Sequence, residues 1–121
     1  MTTPGERFAD AIAAHDVAAM SELLADEVDF RGMTPSTFWE ASSPAEVVEV
    51  VLGDWFTETD HIVAASRAEA DPVSDTRHVG YRFDIDNEDG ARVVEQQAYY
   101  RDEDGRIVWM RIVCSGYRDR E

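Results

Sequence analysis

The sequence predicts an α+β fold, with helices in the first half of the chain and an antiparallel meander in the second. Helix-capping signatures, Thr-Pro-Gly-Glu from Thr3 and Ser-Pro-Ala-Glu from Ser43, occur only early in the chain. From about Glu58 onward apolar and polar residues alternate with the period of a strand. The longest such stretch, Ala91 to Tyr117, is two β-rich runs around the acidic turn RDEDG and reads as the β-hairpin that organises the chain. The expected order is α-α-β-α-β-β-β-β, three helices packed on one face of a strongly curved, mostly antiparallel sheet.

Each element follows from local pattern. A helix from Pro4 to Ala14 puts Phe8, Ala11, Ile12 and His15 on one face, and Asp16 caps a second from Val17 to Ala25 that buries Val17, Met20, Leu23 and Leu24. Val28 to Arg31 reads as a short strand with Val28 and Phe30 inward. Gly32 to Ser42 reads as a loop, yet it carries Met33, Phe38 and Trp39, so it either plugs the end of the core or covers a pocket. The third helix is expected from Pro44 to Trp55. A strand from Glu58 to Ala70 and a turn at Asp71 to Asp75 then lead into a strand in which Val79, Tyr81, Phe83 and Ile85 share one face. The tail, Arg118 to Glu121, is expected to fray.

The hairpin decides the candidate site. Val108, Met110, Ile112, Cys114 and Gly116 are the small or apolar parity and mark the core face. A four-residue turn, Asp102 to Gly105, pairs Tyr99 with Val108, Gln97 with Met110 and Glu95 with Ile112, which aims Glu95 and Gln97 inward. A three-residue loop sends Gln96 inward instead. A carboxylate two residues from an amide on an inward face supplies an acid or base beside a fixed donor, so Glu95 and Gln97 are the catalytic candidates. Around them Phe8, Trp39, Trp55 and Met110 are expected to form an apolar wall, Tyr81 and Tyr99 to add phenol donors, and His15 and Cys114 to line the same cavity. The plainer alternatives are a helix-terminal role for His15 and a small core hydrophobe for Cys114. Opposite the core, Trp109, Val113, Val94, Ala98 and Tyr100 would form an apolar outer face with Arg111 and Gln96, which predicts a homodimer.

Composition sets the outer limits. The 121 residues suit one domain spanning the whole chain, and 44% hydrophobic residues suffice for a core. A net charge of −15, from 26 acidic residues against 11 arginines, disfavours nucleic acid and anionic membrane as partners. The absence of lysine removes Schiff-base and P-loop chemistry. A lone Cys114 and the lack of a long apolar run point to a reducing, cytoplasmic setting. His15, His61 and His78 have no metal-ligand spacing, so neither a metal nor another cofactor is expected.

AAHDVAAMSELLADEVDF, the WEA segment and DGRIVWMRIVCSG resemble the nuclear transport factor 2-like superfamily, with SnoaL-like proteins as the nearest subgroup. The resemblance covers nearly the whole chain. It implies a cone whose open end is an apolar pocket, often dimeric through the outer sheet face, in a superfamily that includes ketosteroid isomerase, scytalone dehydratase, limonene epoxide hydrolase, polyketide cyclases and non-catalytic members. The isomerase's tyrosine, base and oxyanion aspartate positions fall on Phe8, Gly32 and Gln97, so steroid isomerisation by that mechanism is disfavoured. Two function classes remain. One is cofactor-independent acid-base chemistry, of isomerase, dehydratase or cyclase type, on a small, largely apolar or polycyclic molecule; the other is a non-catalytic binding or dimerisation module of the same fold.

Overall fold

The computed structural model describes residues 2–120. Helix α1 spans Pro4–Ala14, and its capping box is formed at both ends: Glu6 N–H donates to Thr3 Oγ1, and Thr3 N–H to the Glu6 carboxylate, each at 3.0 Å. His15 breaks the helix in the left-handed region, φ 50°. Asp16 then caps α2 (Val17–Leu23) by accepting the Ala19 N–H at 3.0 Å. The second helix stops short of Ala25 because Leu24 is already extended and opens strand β1 (Leu24–Thr34).

The expected loop at 32–42 is instead a hairpin. β1 continues through Thr34, turns at Pro35 and Ser36, and returns as β2 (Thr37–Ala41), with Gly32 opposite Trp39 and Met33 opposite Phe38. Of the residues that read as loop, Pro35 and Ser36 make one tight turn while Gly32 lies within β1, and Trp39 Nε1 donates to Thr34 Oγ1 at 2.9 Å to brace the hairpin. The third helix is α-helical only over α3 (Pro44–Val48); from Glu49 to Trp55 it widens into a π-helix that buries Val50, Val51, Leu52 and Trp55.

Strands β3 (His61–Val73), β4 (Thr76–Asn87), β5 (Gly90–Glu103) and β6 (Arg106–Cys114) complete a sheet of order β2-β1-β6-β5-β4-β3, in which only β1 and β6 run parallel. A seventh strand, β7 (Arg118–Asp119), lies along β5, so the tail predicted to fray is paired through Asp119. The helices cover the inner face, and Phe8, Ile12, Met20, Phe30, Phe56, Phe83, Met110 and Ile112 fill the space between. No helix of the described residues is long and apolar enough to cross a membrane.

At one end of this core Tyr100 is fully buried, and its hydroxyl donates to Glu69 at 2.8 Å, as does the hydroxyl of Thr3. Arg77 lies over the Tyr100 ring, 5.5 Å from its centre. Gly5 packs directly on that ring, where a Cβ would lie 2.5 Å from a ring carbon. Replacing Gly5 with Ala should therefore cost about 1–3 kcal/mol, because the pinned ring has nowhere to retreat. Urea unfolding of Gly5→Ala should show a lower midpoint at unchanged slope; an unchanged midpoint would mean that the ring gives way.

Candidate functional site

The β5–β6 register overturns the placement of Glu95 and Gln97. The turn is a two-residue one, Asp104 and Gly105, with φ 53° and 80°, the type I′ geometry that suits a twisted hairpin. By itself that turn would leave Glu95 and Gln97 on the core face, as the four-residue turn did. One step later Asp102 pairs with Ile107 but Arg101 pairs with Trp109, so Val108 is an extra residue in β6. That single insertion moves the pairing by one, and beyond it every β5 side chain changes face. Met110 now faces Tyr100, Ile112 faces Ala98, and Cys114 faces Gln96.

Glu95 and Gln97 consequently point outward. Glu95 is half-exposed and paired with Arg118 at 2.7 Å, and Glu95 and Gln97 line a shallow groove of about 380 Å³ on the outer face. Tyr99 is exposed on that face and stacks on His78. Val94, Ala98 and Tyr100, expected outside, are core residues, and Gln96 leaves the outer face with them. Arg111 therefore lies opposite Tyr99 rather than Gln96.

What the inner face gains is Gln96, 1% exposed and the one buried polar or charged residue among those described. Tyr81 donates its hydroxyl hydrogen to Gln96 Oε1 at 2.6 Å. This bond orients the amide so that its Nε2 is the free end, and Nε2 has no partner within the protein. A second buried donor, Trp55 Nε1, also lacks one. Burial pushes the Tyr81 phenol well above its usual range, with Cys114 nearby adding to the effect, so Tyr81 stays a neutral donor.

The other predicted residues distribute around these. Phe8 and Met110 are core, Phe8 against the Tyr81 ring; Trp55 lies between Phe30 and Trp39; Cys114 is partly buried beside the inner face. His15 does not look into the cone. Its Nε2 lies 2.9 Å from the Leu52 carbonyl, tying the α1–α2 joint to the π-helix. Among the described residues no three His, Cys, Asp or Glu side chains cluster as metal ligands would.

Tyr117 and Asp60 escaped sequence reasoning. Between Cys114, opposite Gln96, and Arg118, opposite Val93, the chain carries one residue more than β5, a second bulge, where Gly116 has φ 75°. The bulge brings Tyr117 against Phe56, its hydroxyl 2.6 Å from the Trp55 carbonyl and 3.0 Å from Asp60 Oδ2. Burial, then the Asp60 charge, hold the Tyr117 phenol far above its usual range. The glycine before the tyrosine was the available signal.

Three phenols thus sit above the ordinary value of 10.0: Tyr81, Tyr117, and Tyr100, which burial pushes up to about 12. A raised pKa means that the folded state holds the proton more tightly than the unfolded chain. The stability these groups contribute is full below about pH 10 and is lost as pH rises above it, through about 12 for Tyr100 and at higher pH for Tyr117. An ultraviolet titration should show their phenolate absorbance only together with loss of near-ultraviolet circular dichroism. Ionisation of all 4 tyrosines before the fold is lost would contradict this.

No family model matches the chain, and no curated protein does. Solved structures do. A provisionally assigned isomerase from Rhodopseudomonas palustris is 16% identical, with a TM-score of 0.74 over 96% of this chain and 92% of the other. A provisionally assigned SnoaL-like polyketide cyclase from Mesorhizobium loti is 12% identical, with a TM-score of 0.67 over 90% and 94%. An NTF2-like protein of unknown function, also from Mesorhizobium loti, is 22% identical, with a TM-score of 0.64 over 93% and 88%. At such identities the likeness is one of fold, and on it, with three helices against a curved, mostly antiparallel sheet, this chain has the nuclear transport factor 2-like cone fold.

Proposed function

We propose that the cone binds a small, largely apolar molecule bearing a hydrogen-bond acceptor such as a ketone oxygen. The observation that carries this reading is that, of three buried donors without partners among the described residues, Gln96 Nε2, Trp55 Nε1 and Arg92 Nε, the first two belong to buried side chains of the apolar interior. An unmet buried donor costs free energy, and a bound carbonyl would satisfy it. Tyr81 supports the role by fixing which end of the Gln96 amide is free. Met20 and Met110, unbranched and adaptable, give the interior room to repack around a guest. Glu95, on which acid-base chemistry was expected to rest, lies on the outer face, and among the described residues the buried polar side chain is the Gln96 amide, which supports a binding role for the interior.

A matched pair of ligands tests this. 2-Acetylnaphthalene should bind about tenfold more tightly than 2-ethylnaphthalene in calorimetric titrations, one hydrogen bond's worth, and Gln96→Leu should erase the difference while still binding both. Equal affinity of the two for the native protein would refute the donor role.

We further propose that a second copy of the chain covers the outer sheet face. The registers place Phe38, Met33 and Val113 side by side across β2, β1 and β6, and each is more than half exposed, at 55%, 52% and 52%. The neighbouring row reads Glu40, Arg31, Arg111 and Tyr99. Arginines are scarce in a chain of charge −15, yet Arg31, Arg82, Arg101 and Arg111 gather on this face, where a two-fold related copy can meet them with Glu40 and Glu95. Trp109, expected to lie in the apolar part of that interface, is held between Arg101 and Arg111, both 4.5 Å from its ring centre. Light scattering at micromolar concentration should give a dimer that Val113→Glu converts to monomer; a monomeric native protein would reject the interface.

A further inference from the structure

We propose that Tyr117 is a latch on the cone, holding the last turn of the π-helix closed so that Trp55 occupies the space through which an apolar molecule is taken up. This rests on the binding reading above. The Trp55 ring abuts β1 at Gly32, where a Cβ would come within 2.5 Å of it, and is bordered by Phe30 and Trp39. If Trp55 swings away, an indole-sized space opens onto those three residues.

Two contacts oppose that motion. The Phe56 N–H donates to the Val51 carbonyl at 2.9 Å, the wide bonding of a π-turn, and the Tyr117 hydroxyl reaches the Trp55 carbonyl at 2.6 Å. Tyr117 is in turn braced from behind. Gly116 presses on the Pro35 ring, where a Cβ would lie 2.7 Å from a ring carbon, and Arg92 Nη2 donates to the Tyr117 carbonyl at 3.0 Å.

The latch opens without stranding a polar group. The phenol has one hydrogen and two acceptors, the Trp55 carbonyl and Asp60 Oδ2 at 3.0 Å, so it keeps a bond to Asp60 when the carbonyl moves off. Asp60 is itself fixed from β4 by Asn87 Nδ2 at 2.9 Å. His15 anchors the preceding turn through the Leu52 carbonyl, which confines the motion to residues 53–57.

The test pairs hydrogen exchange with uptake of prodan, a fluorescent naphthalene ketone. In Tyr117→Phe the amides of residues 53–57 should exchange faster while those of β4 and β5 do not change, which separates release of the latch from general destabilisation. Stopped-flow fluorescence should show prodan uptake and escape both accelerated about five- to tenfold with a Kd changed less than about twofold, because a gate alters both directions alike. Unchanged exchange at 53–57 would overturn the latch whatever the dye does, as would a weakened Kd with unaltered uptake. Faster exchange with no dye bound by either protein would leave the latch standing and sink the binding reading instead.

Discussion

One extra residue in β6, Val108, sets which face of β5 is buried. Side chains of paired strands alternate together, so a shift of one exchanges the entire inner set for the outer one. With the bulge, Val94, Gln96, Ala98 and Tyr100 join Met110 and Ile112 beneath the helices, and Glu95, Gln97 and Tyr99 lie outside. Without it the core would receive a glutamate, and Tyr100 would lose Glu69 and the Gly5 packing that closes one end of the cone. Buried apolar area and a satisfied phenol therefore favour the bulged register over the regular one.

The same register divides the molecule's chemistry between two faces. Charge is kept outside: Glu95 between Arg82 and Arg118, Arg111 on Asp29, Trp109 between two guanidinium groups. Inside, the polar groups are neutral hydrogen-bonding ones, the Tyr81 phenol on the Gln96 amide with the Trp55 indole across the core. Neutral donors cost less to bury than a carboxylate does, and they recognise an acceptor without changing charge.

The far end of the cone is closed by an assembly from four parts of the chain: the β1–β2 turn, the π-helix, the Thr57 to Asp60 turn and the bulge at Gly116. Each is irregular for a local reason, and their meeting places Tyr117 on the Trp55 carbonyl. The opposite end, by contrast, is held by α1 itself through Thr3, Gly5 and Glu69.

The capping boxes, the His15–Asp16 joint and the strict alternation of Val79, Tyr81, Phe83 and Ile85 are local, and the sequence by itself determined the helices and strands they specify, from Pro4 to Ala14 and through β4 with its inward face. Capping and alternation depend on neighbours a few residues apart, and these are legible in any chain. Even the resemblance to the cone fold rested on such segments. Only the tertiary structure decided the rest: that 32–42 is a hairpin, that the helix after Val48 widens, that Val108 bulges, and that Gly116 turns Tyr117 inward. Bulges and widened turns are compromises among elements distant in sequence, settled by which side chains find room and which hydrogen bonds are met. Gln96 was therefore visible only as an alternative, and Tyr117 not at all, until β5, β6 and the π-helix met around them.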